Sequence, residues 1–337
     1  MTNEGALPRV DADAAEEYRA ARRGVGLVDR GDHGVVEVTG RDRATFLHAL
    51  LSNEVKALAP GQGCAATLLD VHGKVQVVLS VWVLDDRILL VTPPGMAQKA
   101  LEALDHYLFS EKVTLRDASE ETTLFLLVGP ETPAAVERLA GARPGDAAWS
   151  HVAANLAGVA VRLVGGAGET GGPEVWVAAA RADGARVREA LVASGARPLG
   201  PPAFESLRVE AGTPLFGHDV DPSVLLPEIP FEKLVSHTKG CYPGQEVVVR
   251  IRDRGHVNRR FCGLVLEGDT VPPRGAGVVV DGADVGKVTS ATWSFGLSRP
   301  IALAFVRRQH AEAGTAVTVR AGERTIQARV SDLPFAR

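Results

Sequence analysis

The decisive stretch of this sequence reads Lys239-Gly240-Cys241-Tyr242-Pro243-Gly244-Gln245-Glu246. It places a thiol two residues from an ammonium group, and it places that thiol between two glycines. Glycines reach backbone conformations that other residues avoid, so they favour an unusual loop. A cation this close to a cysteine favours the thiolate over the thiol. We therefore predict that Cys241 is functional and that Lys239 activates it.

The other two cysteines, Cys64 and Cys262, stand among apolar residues, which is typical of a cysteine that acts as a small buried hydrophobic side chain. The chain has no CxxC pair and no HxH or HxxxH pair, so we predict neither a disulfide framework nor a metal site. A lone cysteine cannot hold an iron–sulfur cluster by itself. Any cluster contact at Cys241 would therefore need a partner protein or an exogenous ligand.

A basic segment follows Cys241. Between residues 239 and 260 only Glu246 and Asp253 are acidic, whereas the basic residues are Lys239, Arg250, Arg252, Arg254, Arg259 and Arg260. Guanidinium groups offer paired donors to planar oxyanions, so this segment is suited to a carboxylate, a phosphate or an RNA backbone. The alternative is a solvated strand, in which alternation would place Arg250, Arg252 and Arg254 on one face of an extended segment.

The length and composition of the chain set the broad class. It has 337 residues, of which 45% are hydrophobic, and this suits two or three domains that each have a core. The net charge of −4 gives no global attraction to nucleic acid or to an anionic membrane. The acidic, polar start does not resemble a secretory signal, and no apolar run is long enough to span a bilayer. We expect a cytoplasmic protein without a membrane partner.

The pattern of apolar residues predicts an α+β fold. Residues 35–51 change from strand-like to helical spacing, and the β-rich runs 65–69, 75–83 and 88–91 predict an antiparallel meander. A helix over 96–108 and a strand at 113–115 close this first unit, and a similar alternation occupies residues 124–194. From Phe261 onward, short β runs at short intervals predict a small β-barrel or sandwich.

A glycine-rich stretch interrupts the second unit, with Gly165-Gly166-Ala167-Gly168 followed by Gly171-Gly172. It lacks the Lys-Ser/Thr pair of a phosphate-binding loop, and it lies between two predicted strands. We interpret it as a mobile hairpin tip rather than as a phosphate cradle.

Together, these residues resemble a known family. The motif Lys239-Gly240-Cys241-Tyr242-x-Gly244-Gln245-Glu246, followed by Arg250, Arg254-Gly255 and Arg259, is similar to the signature of the YgfZ family of folate-binding proteins. That family is related to the T-protein, the aminomethyltransferase of the glycine cleavage system. Three other stretches extend the resemblance over nearly the whole chain, namely residues 18–29, residues 207–219 and residues 286–291.

The resemblance implies a specific architecture. It consists of two ferredoxin-like antiparallel α+β domains and a C-terminal small β-barrel, arranged around a central folate channel. The implied boundaries are residues 1–118 together with 202–256 for the first, folate-binding domain, 119–201 for the second α+β domain and 257–337 for the barrel.

The resemblance also implies a ligand, tetrahydrofolate or a derivative of it. In the related aminomethyltransferases, the glutamate that matches Glu210 binds the pterin ring, and a carboxylate can accept the paired hydrogen bonds that a pterin donates. The expected contacts with the folate are Glu210, Tyr242, Gln245, Arg250 and Arg254. Those enzymes also use an aspartate in the strand after a Gly-Gly turn, but the matching residues 72–80 contain no carboxylate. One-carbon transfer needs a titratable group near the reacting nitrogen, so its absence argues against this reaction.

The function implied by the resemblance is that of a folate-binding accessory protein. Its partners would be folate and the iron–sulfur assembly or client proteins in which clusters are built or repaired, including a client that thiomethylates transfer RNA. The first alternative is a folate-dependent aminomethyltransferase or demethylase. The second is an RNA-binding module that uses the arginines after Cys241, which the negative net charge and the scarcity of nearby aromatic residues disfavour.

Overall fold

The structure is a computed structural model that describes residues 12–336. In this range the α-helices are α1 (Ala12–Arg23), α2 (Arg43–Leu50), α3 (Ala97–Asp105), α4 (Thr132–Ala140), α5 (Gly184–Ala193), α6 (Pro201–Ala211) and α7 (Gln245–Arg254). Over the described residues, every helix is too short or too polar to cross a membrane.

The strands form two open sheets and a barrel. In chain order they are β1 (Gly26–Asp29), β2 (Gly34–Thr39), β3 (Gly63–Leu69), β4 (Val75–Val83), β5 (Ile88–Thr92), β6 (Thr114–Asp117), β7 (Thr122–Val128), β8 (His151–Leu156), β9 (Val159–Gly165), β10 (Glu174–Ala180), β11 (Arg197–Pro198), β12 (Arg259–Leu266), β13 (Gly277–Val280), β14 (Ala283–Ser294), β15 (Arg299–Arg307), β16 (Ala316–Ala321) and β17 (Arg324–Ser331). The predicted α+β class with a C-terminal barrel is confirmed.

Sheet 1 has five strands in the order β3-β4-β5-β2-β6. Residues Val77, Leu79 and Val81 of β4 lie in one buried cluster with apolar residues of α2 and α3, so these helices cover one face of the sheet. Complete burial of such a side chain contributes about 1.5–3 kcal/mol, which makes this face a main source of stability for the first unit. The alternate residues of β4 point to the opposite face, toward the middle of the molecule.

Sheet 2 has six strands in the order β11-β1-β7-β10-β9-β8. Strand β1 pairs antiparallel with β7 and parallel with β11. It therefore belongs to sheet 2, although the boundary expected at residue 118 assigned it to the first domain. Both faces of β1 are covered, because Leu27 and Val28 lie in different buried clusters. The chain thus enters sheet 2 before it builds sheet 1.

The C-terminal barrel is closed, in the order β12-β15-β14-β13-β16-β17. Closure leaves no unpaired edge strand in this domain. Helix α6 contacts α1, β14 and β15, and its residues Phe204 and Leu207 lie in the apolar cluster that both sheets share. Helix α6 therefore lies at the centre of the molecule, where the two sheets and the barrel meet.

The basic segment after Cys241 is helical, so the alternative prediction of an extended strand is wrong. Helix α7 has 3.6 residues per turn, which places Arg250 and Arg254 on one face and Arg252 on another. The helix starts after Gly244, which has a φ of +78°. A Cβ atom at Gly244 would lie 2.3 Å from the carbonyl oxygen of Asp70, so only glycine allows the chain to turn here.

Candidate functional site

Glu210 lies in the last turn of α6, and it is 1% exposed. Its Oε1 atom accepts hydrogen bonds from the hydroxyl groups of Ser206 at 3.0 Å and Ser294 at 2.6 Å. The backbone N–H of Gly296 donates to the same oxygen at 3.1 Å. These donors come from α6 and from the barrel, so Oε1 connects the central helix to the C-terminal domain.

The second oxygen of Glu210 faces α1. Tyr18 donates its hydroxyl to Oε2 at 2.7 Å, and the guanidinium of Arg22 donates to it at 2.8 Å. Burial alone would raise the pKa of Glu210, but the hydrogen bonds from Ser294 and Tyr18 outweigh it and lower the pKa below its usual value. Glu210 is therefore a buried carboxylate that stays ionised because hydrogen bonds reach both of its oxygens.

A second buried network fixes the orientation of α6. The guanidinium of Arg208 has no exposed surface, and it donates to Asp219 at 2.9 Å and to Glu205 at 2.6 Å. Ser290 of β14 also accepts from Arg208 and donates to Asp219. Removing one partner from such a network leaves a buried charge without compensation. The network therefore holds Glu210 in a defined position between α1 and the barrel.

The glycine-rich loop, residues 166–173, connects β9 to β10 as the predicted hairpin tip. Its backbone N–H groups at Gly168, Glu169 and Thr170 donate to the carboxylate of Glu174 at 3.0, 2.9 and 2.6 Å. A Cβ atom at Gly166 would lie 2.5 Å from the Cβ of Glu174, so the loop needs glycine there. The amides do form a cradle for an oxyanion, and the oxyanion is a carboxylate of the protein itself.

Three basic side chains tie the glycine-rich loop to other elements. Arg30, which follows β1, binds Glu169 at 2.5 Å. Arg22 donates to the carbonyl oxygen of Thr170 at 3.2 Å, and Lys233 donates to that of Ala167 at 2.9 Å. The loop therefore contacts side chains from α1, from the residue after β1 and from the segment between α6 and α7.

The Cys241 loop, residues 239–244, leads into α7. Cys241 is exposed, whereas Cys262 is buried and Cys64 is half-buried. Burial raises the pKa of both Cys64 and Cys262 to about 12. Those two thiols are therefore protonated at neutral pH, and this agrees with their predicted role as small apolar side chains.

Lys239 anchors the Cys241 loop. It is 8% exposed, and its ammonium donates to the carbonyl oxygens of His48 and Leu51 at the end of α2. It also lies 5.1 Å from the centre of the Tyr242 ring. Burial lowers the pKa of Lys239 to about 8. The ammonium of Lys239 thus donates to backbone carbonyls of α2, and no hydrogen bond to Cys241 is seen in the described part of the chain. Activation of Cys241 by Lys239 therefore stays a prediction.

The other motif residues have several different roles in the structure. Tyr242 is buried, and its N–H donates to Oε1 of Gln245 at 3.2 Å, so both residues shape the turn before α7. Arg259 binds both oxygens of Glu228 at 3.0 Å. Five further motif residues are exposed, namely Gly240, Glu246, Arg250, Arg254 and Gly255. Gly240 does not have a positive φ, and the space around it is open. Of the two glycines that flank Cys241, only Gly244 therefore has a conformation that requires glycine.

The Cys241 loop packs against the turn that leads into β4. Gly244 approaches the Cα of Gly73 so closely that a Cβ atom would lie 2.9 Å away. On the centre-facing side of β4, the side chains that follow this turn are Gln76, Val78, Ser80 and Trp82. None of these side chains titrates near neutral pH. The exposed thiol and the strand without an acid are therefore neighbouring features, whereas Glu210 lies between α1 and the barrel.

Five residues of this region were not predicted from the sequence as site residues, namely Tyr18, Arg22, Arg30, Glu169 and Glu174. A weak signal existed for two of them, because Tyr18 and Arg22 are four residues apart and so lie on one face of α1. The sequence contains no comparable spacing that would connect Arg30 with Glu169, or Glu174 with the backbone of the glycine-rich loop. Among residues 12–336, no group of three or more His, Cys, Asp or Glu side chains is arranged to hold a metal ion.

Comparison with known proteins matches both parts of the chain to family models. Residues 7–239 match the GCVT N-terminal domain, and residues 259–336 match the glycine cleavage T-protein C-terminal barrel domain. The chain is 34% identical to an aminomethyltransferase of Thermus thermophilus, over 98% of this chain and 92% of the relative. It is 31% identical to a chloroplastic protein of Arabidopsis thaliana named "Putative transferase", over 99% of this chain and 76% of the relative.

A solved structure has the same overall fold. The glycine cleavage system aminomethyltransferase T from Bartonella henselae superimposes with a TM-score of 0.85, covering 96% of this chain and 89% of that chain. The two sequences are 23% identical, so this likeness concerns the fold alone.

Proposed function

Since this chain belongs to the glycine cleavage T-protein family, we propose that it binds a tetrahydrofolate and that it acts as an accessory protein in iron–sulfur cluster assembly or repair, without aminomethyl transfer. This is the role of the YgfZ branch, which the motif at residues 239–246 resembles. The main support is the Cys241 loop, which packs on the turn before β4, a strand without a titratable side chain on its central face.

The first part of the proposal concerns Glu210. Among the described residues, Ser206, Ser294 and Gly296 of α6 and the barrel donate to Oε1, whereas Tyr18 and Arg22 of α1 donate to Oε2. A pterin offers an amino group and a ring N–H, and these are suited to an ionised carboxylate. In this proposal the pterin takes positions on Oε2, and Oε1 keeps Glu210 in place.

The second part concerns the missing acid. A group that moves a proton during catalysis must titrate and must lie within hydrogen-bond reach of the reacting atom. Gln76, Val78 and Ser80 supply an amide, an alkyl group and a hydroxyl. Binding of the pterin by Glu210 does not depend on this strand, so folate binding and one-carbon transfer are separable.

The third part concerns Cys241. The thiol is exposed on a loop whose backbone is fixed at one end by Lys239 and at the other by Gly244. A fixed loop with an exposed sulfur atom is suited to contact a cluster, a persulfide or a client protein. We propose that Cys241 makes this contact, while Lys239 acts by positioning the loop.

The second candidate is an aminomethyltransferase, and the identity of 34% with a relative of that name favours it. The two functions differ in turnover. The purified protein is supplied with tetrahydrofolate and an aminomethyl-loaded carrier protein, and formation of methylenetetrahydrofolate is followed. We expect none, and sustained formation would replace our proposal with this candidate.

Folate binding is tested by isothermal titration of the purified protein with tetrahydrofolate. Glu210→Gln removes the charge that a pterin would pair with, and we expect the affinity to fall by about tenfold or more. The matched control is Glu189→Gln on the exposed surface of α5, which should bind as the wild type does. Equal affinity in all three proteins, or no binding by the wild type, would contradict the proposal.

The role of Cys241 is tested in cells that lack the native gene. Cys241→Ala should fail to restore the activity of an iron–sulfur client enzyme, whereas the matched variant Cys262→Ala should restore it, because Cys262 serves only packing in the barrel. Protein levels are compared to show that both variants accumulate. Full restoration by Cys241→Ala would remove the thiol from the function.

A further inference from the structure

Arg30 is a buried cation that the proposed function does not use. It is 8% exposed, and its Nη2 atom binds Oε1 of Glu169 at 2.5 Å. Its Nε atom is buried and has no hydrogen-bond partner in the part of the chain that the structure describes. A guanidinium can bind a carboxylate through two parallel N–H groups, but Glu169 uses only one of them. The hydrogen-bonding capacity of Arg30 is therefore only partly satisfied.

Aromatic rings surround this guanidinium. The central carbon of Arg30 lies 4.7 Å from the centre of the Phe204 ring and 5.6 Å from that of Trp176. Phe204 belongs to α6 and Trp176 to β10, so Arg30 lies at the centre of the molecule, where α6 meets sheet 2. Aromatic faces stabilise a cation without neutralising it, so the edge of the guanidinium remains available to an anion.

The present anion, Glu169, lies on a glycine-rich segment that is anchored next to it, through Glu174, rather than through Glu169 itself. Five of residues 165–172 are glycines, which allow the backbone many conformations. Apart from the cradle around Glu174 and the ion pair with Arg30, three single hydrogen bonds to backbone carbonyls tie the loop to other described residues, one each from Arg22, Lys233 and the N–H of Gly129. Lys233 is exposed, so its bond contributes little.

The same loop is connected to Glu210. Arg22 donates both to the carbonyl oxygen of Thr170 and to Oε2 of Glu210. Movement of the glycine-rich loop would therefore release one of the bonds that hold Arg22 beside the proposed pterin position. Arg30 is thus paired with Glu169, which lies on this loop. Glu210 is paired with Arg22, which lies against it.

We propose that Arg30, Phe204 and Trp176 form a subsite for a carboxylate of the bound ligand, and that Glu169 occupies this subsite until the ligand displaces the glycine-rich loop. This inference rests on the proposed folate binding, because the glutamate tail of tetrahydrofolate carries the carboxylates that the subsite would take. An incoming carboxylate gains the unpaired Nε of Arg30, which Glu169 does not use.

Two probes separate the subsite from the pterin position. Tetrahydrofolate carries carboxylates, whereas 6-methyltetrahydropterin has the same ring and none. Glu169→Gln removes the competing anion, so we expect about three- to tenfold tighter binding of tetrahydrofolate. Arg30→Met should weaken that binding by about tenfold or more. Both variants should bind 6-methyltetrahydropterin within about twofold of the wild type.

The control for Glu169→Gln is Glu131→Gln, an exposed carboxylate before α4, which should change neither affinity. Arg30→Met removes a side chain from the core, so circular dichroism and thermal unfolding must first show that it folds. If Arg30→Met does not fold, Glu169→Gln still tests the subsite. A wild type that binds neither probe contradicts the proposed function. Binding of both probes with no change in either variant contradicts only the subsite.

Hydrogen exchange gives a second measurement on the wild type. The amides of Gly168, Glu169 and Thr170 are protected because they donate to Glu174. Saturation with tetrahydrofolate should increase their exchange by about tenfold, whereas 6-methyltetrahydropterin should leave it unchanged. Unchanged or slower exchange with tetrahydrofolate would show that the loop stays in place, and this would overturn the displacement.

Discussion

The glycine-rich loop and the Cys241 loop are built on the same principle with opposite charges. Glu174 anchors the first loop by accepting bonds from three backbone N–H groups, and Lys239 anchors the second by donating to two backbone carbonyls. They differ in what they present. The glycine-rich loop turns Glu169 inward onto Arg30, whereas the Cys241 loop leaves its thiol in solvent.

Backbone dipoles hold both buried side chains without a paired opposite charge among the described residues, and the hydroxyl of Thr170 adds one more donor to Glu174. The compensation is incomplete in both loops. Burial raises the pKa of Glu174 and lowers that of Lys239 to about 8, because each side chain loses more hydration than its hydrogen bonds restore. Each loop therefore has an anchor and a separate side chain with a different contact, because Glu169 pairs with Arg30 whereas Cys241 is exposed.

The largest expected effect tests the outward orientation of Cys241. Near pH 8, a thiol with a pKa of about 12, such as Cys64 or Cys262, has a thiolate fraction of about one in ten thousand. In the folded protein a disulfide reagent should therefore modify Cys241 at least about a hundredfold faster than the other two. Release of the coloured leaving group measures the rate. Cys241→Ser should abolish the fast phase, and two fast thiols in the folded wild type would disprove the contrast.

The next effect tests the anchor of the Cys241 loop. Lys239→Met removes both bonds to the α2 carbonyls, so the free energy of unfolding should fall by about 2 kcal/mol in urea titrations. The matched control is Lys233→Met, since Lys233 is exposed and makes one bond to Ala167, and it should lose less than about 0.5 kcal/mol. Equal losses in the two variants would mean that Lys239 is not an anchor.

Lys239 also predicts a pH dependence. Its pKa is about 8 in the folded protein, whereas a lysine in an unfolded chain has a pKa of about 10.5. Between these values the unfolded chain binds more protons at this site, so the free energy of unfolding rises with pH. From pH 8 to 10 the wild type should therefore gain stability relative to Lys239→Met. A difference that stays constant or falls over this range would contradict the lowered pKa.

The smallest effect concerns the anchor of the glycine-rich loop. Glu174→Gln turns part of an acceptor into a donor that faces three N–H groups, so the loop should open locally and global stability should fall by about 1 kcal/mol. Exchange of the amides at residues 168–170 should rise, while the core of sheet 2 keeps its protection. The isosteric control Glu189→Gln should change neither. Loss of protection throughout sheet 2 would show that the loop has no separate anchor.

Much of the fold was predictable from local patterns. The meander of β3, β4 and β5 follows from alternation with turn-forming residues between the strands, and the barrel follows from short, evenly spaced β runs. Strand β8 was missed because its alanines and asparagine have low β propensity. Helix α7 was predicted as a possible strand because the arginines alternate, but the turn at Gly244 and the burial of Val248 favour a helix.

The candidate site was only partly predictable, because local patterns do not show which distant residues come together. Cys241 was identified from the residues around it and Glu210 through resemblance; the structure shows that Cys241 is exposed, and the roles of both residues stay predictions. The partners that give these residues their properties are far away in the chain. Arg22 is 188 residues from Glu210, and Lys239 is 188 residues from the Leu51 carbonyl that it binds.

The α+β class, the barrel and the position of the cysteine motif were predictable from the amino-acid sequence, because each depends on periodicity or on a contiguous set of residues. The contacts of Lys239 with α2 and of Glu169 with Arg30, 139 residues away, were seen only after the chain was folded. Local spacing carries no information about such pairs. They form because each buried charge needs a partner, and packing of the sheets, α6 and the barrel determines which groups lie within reach.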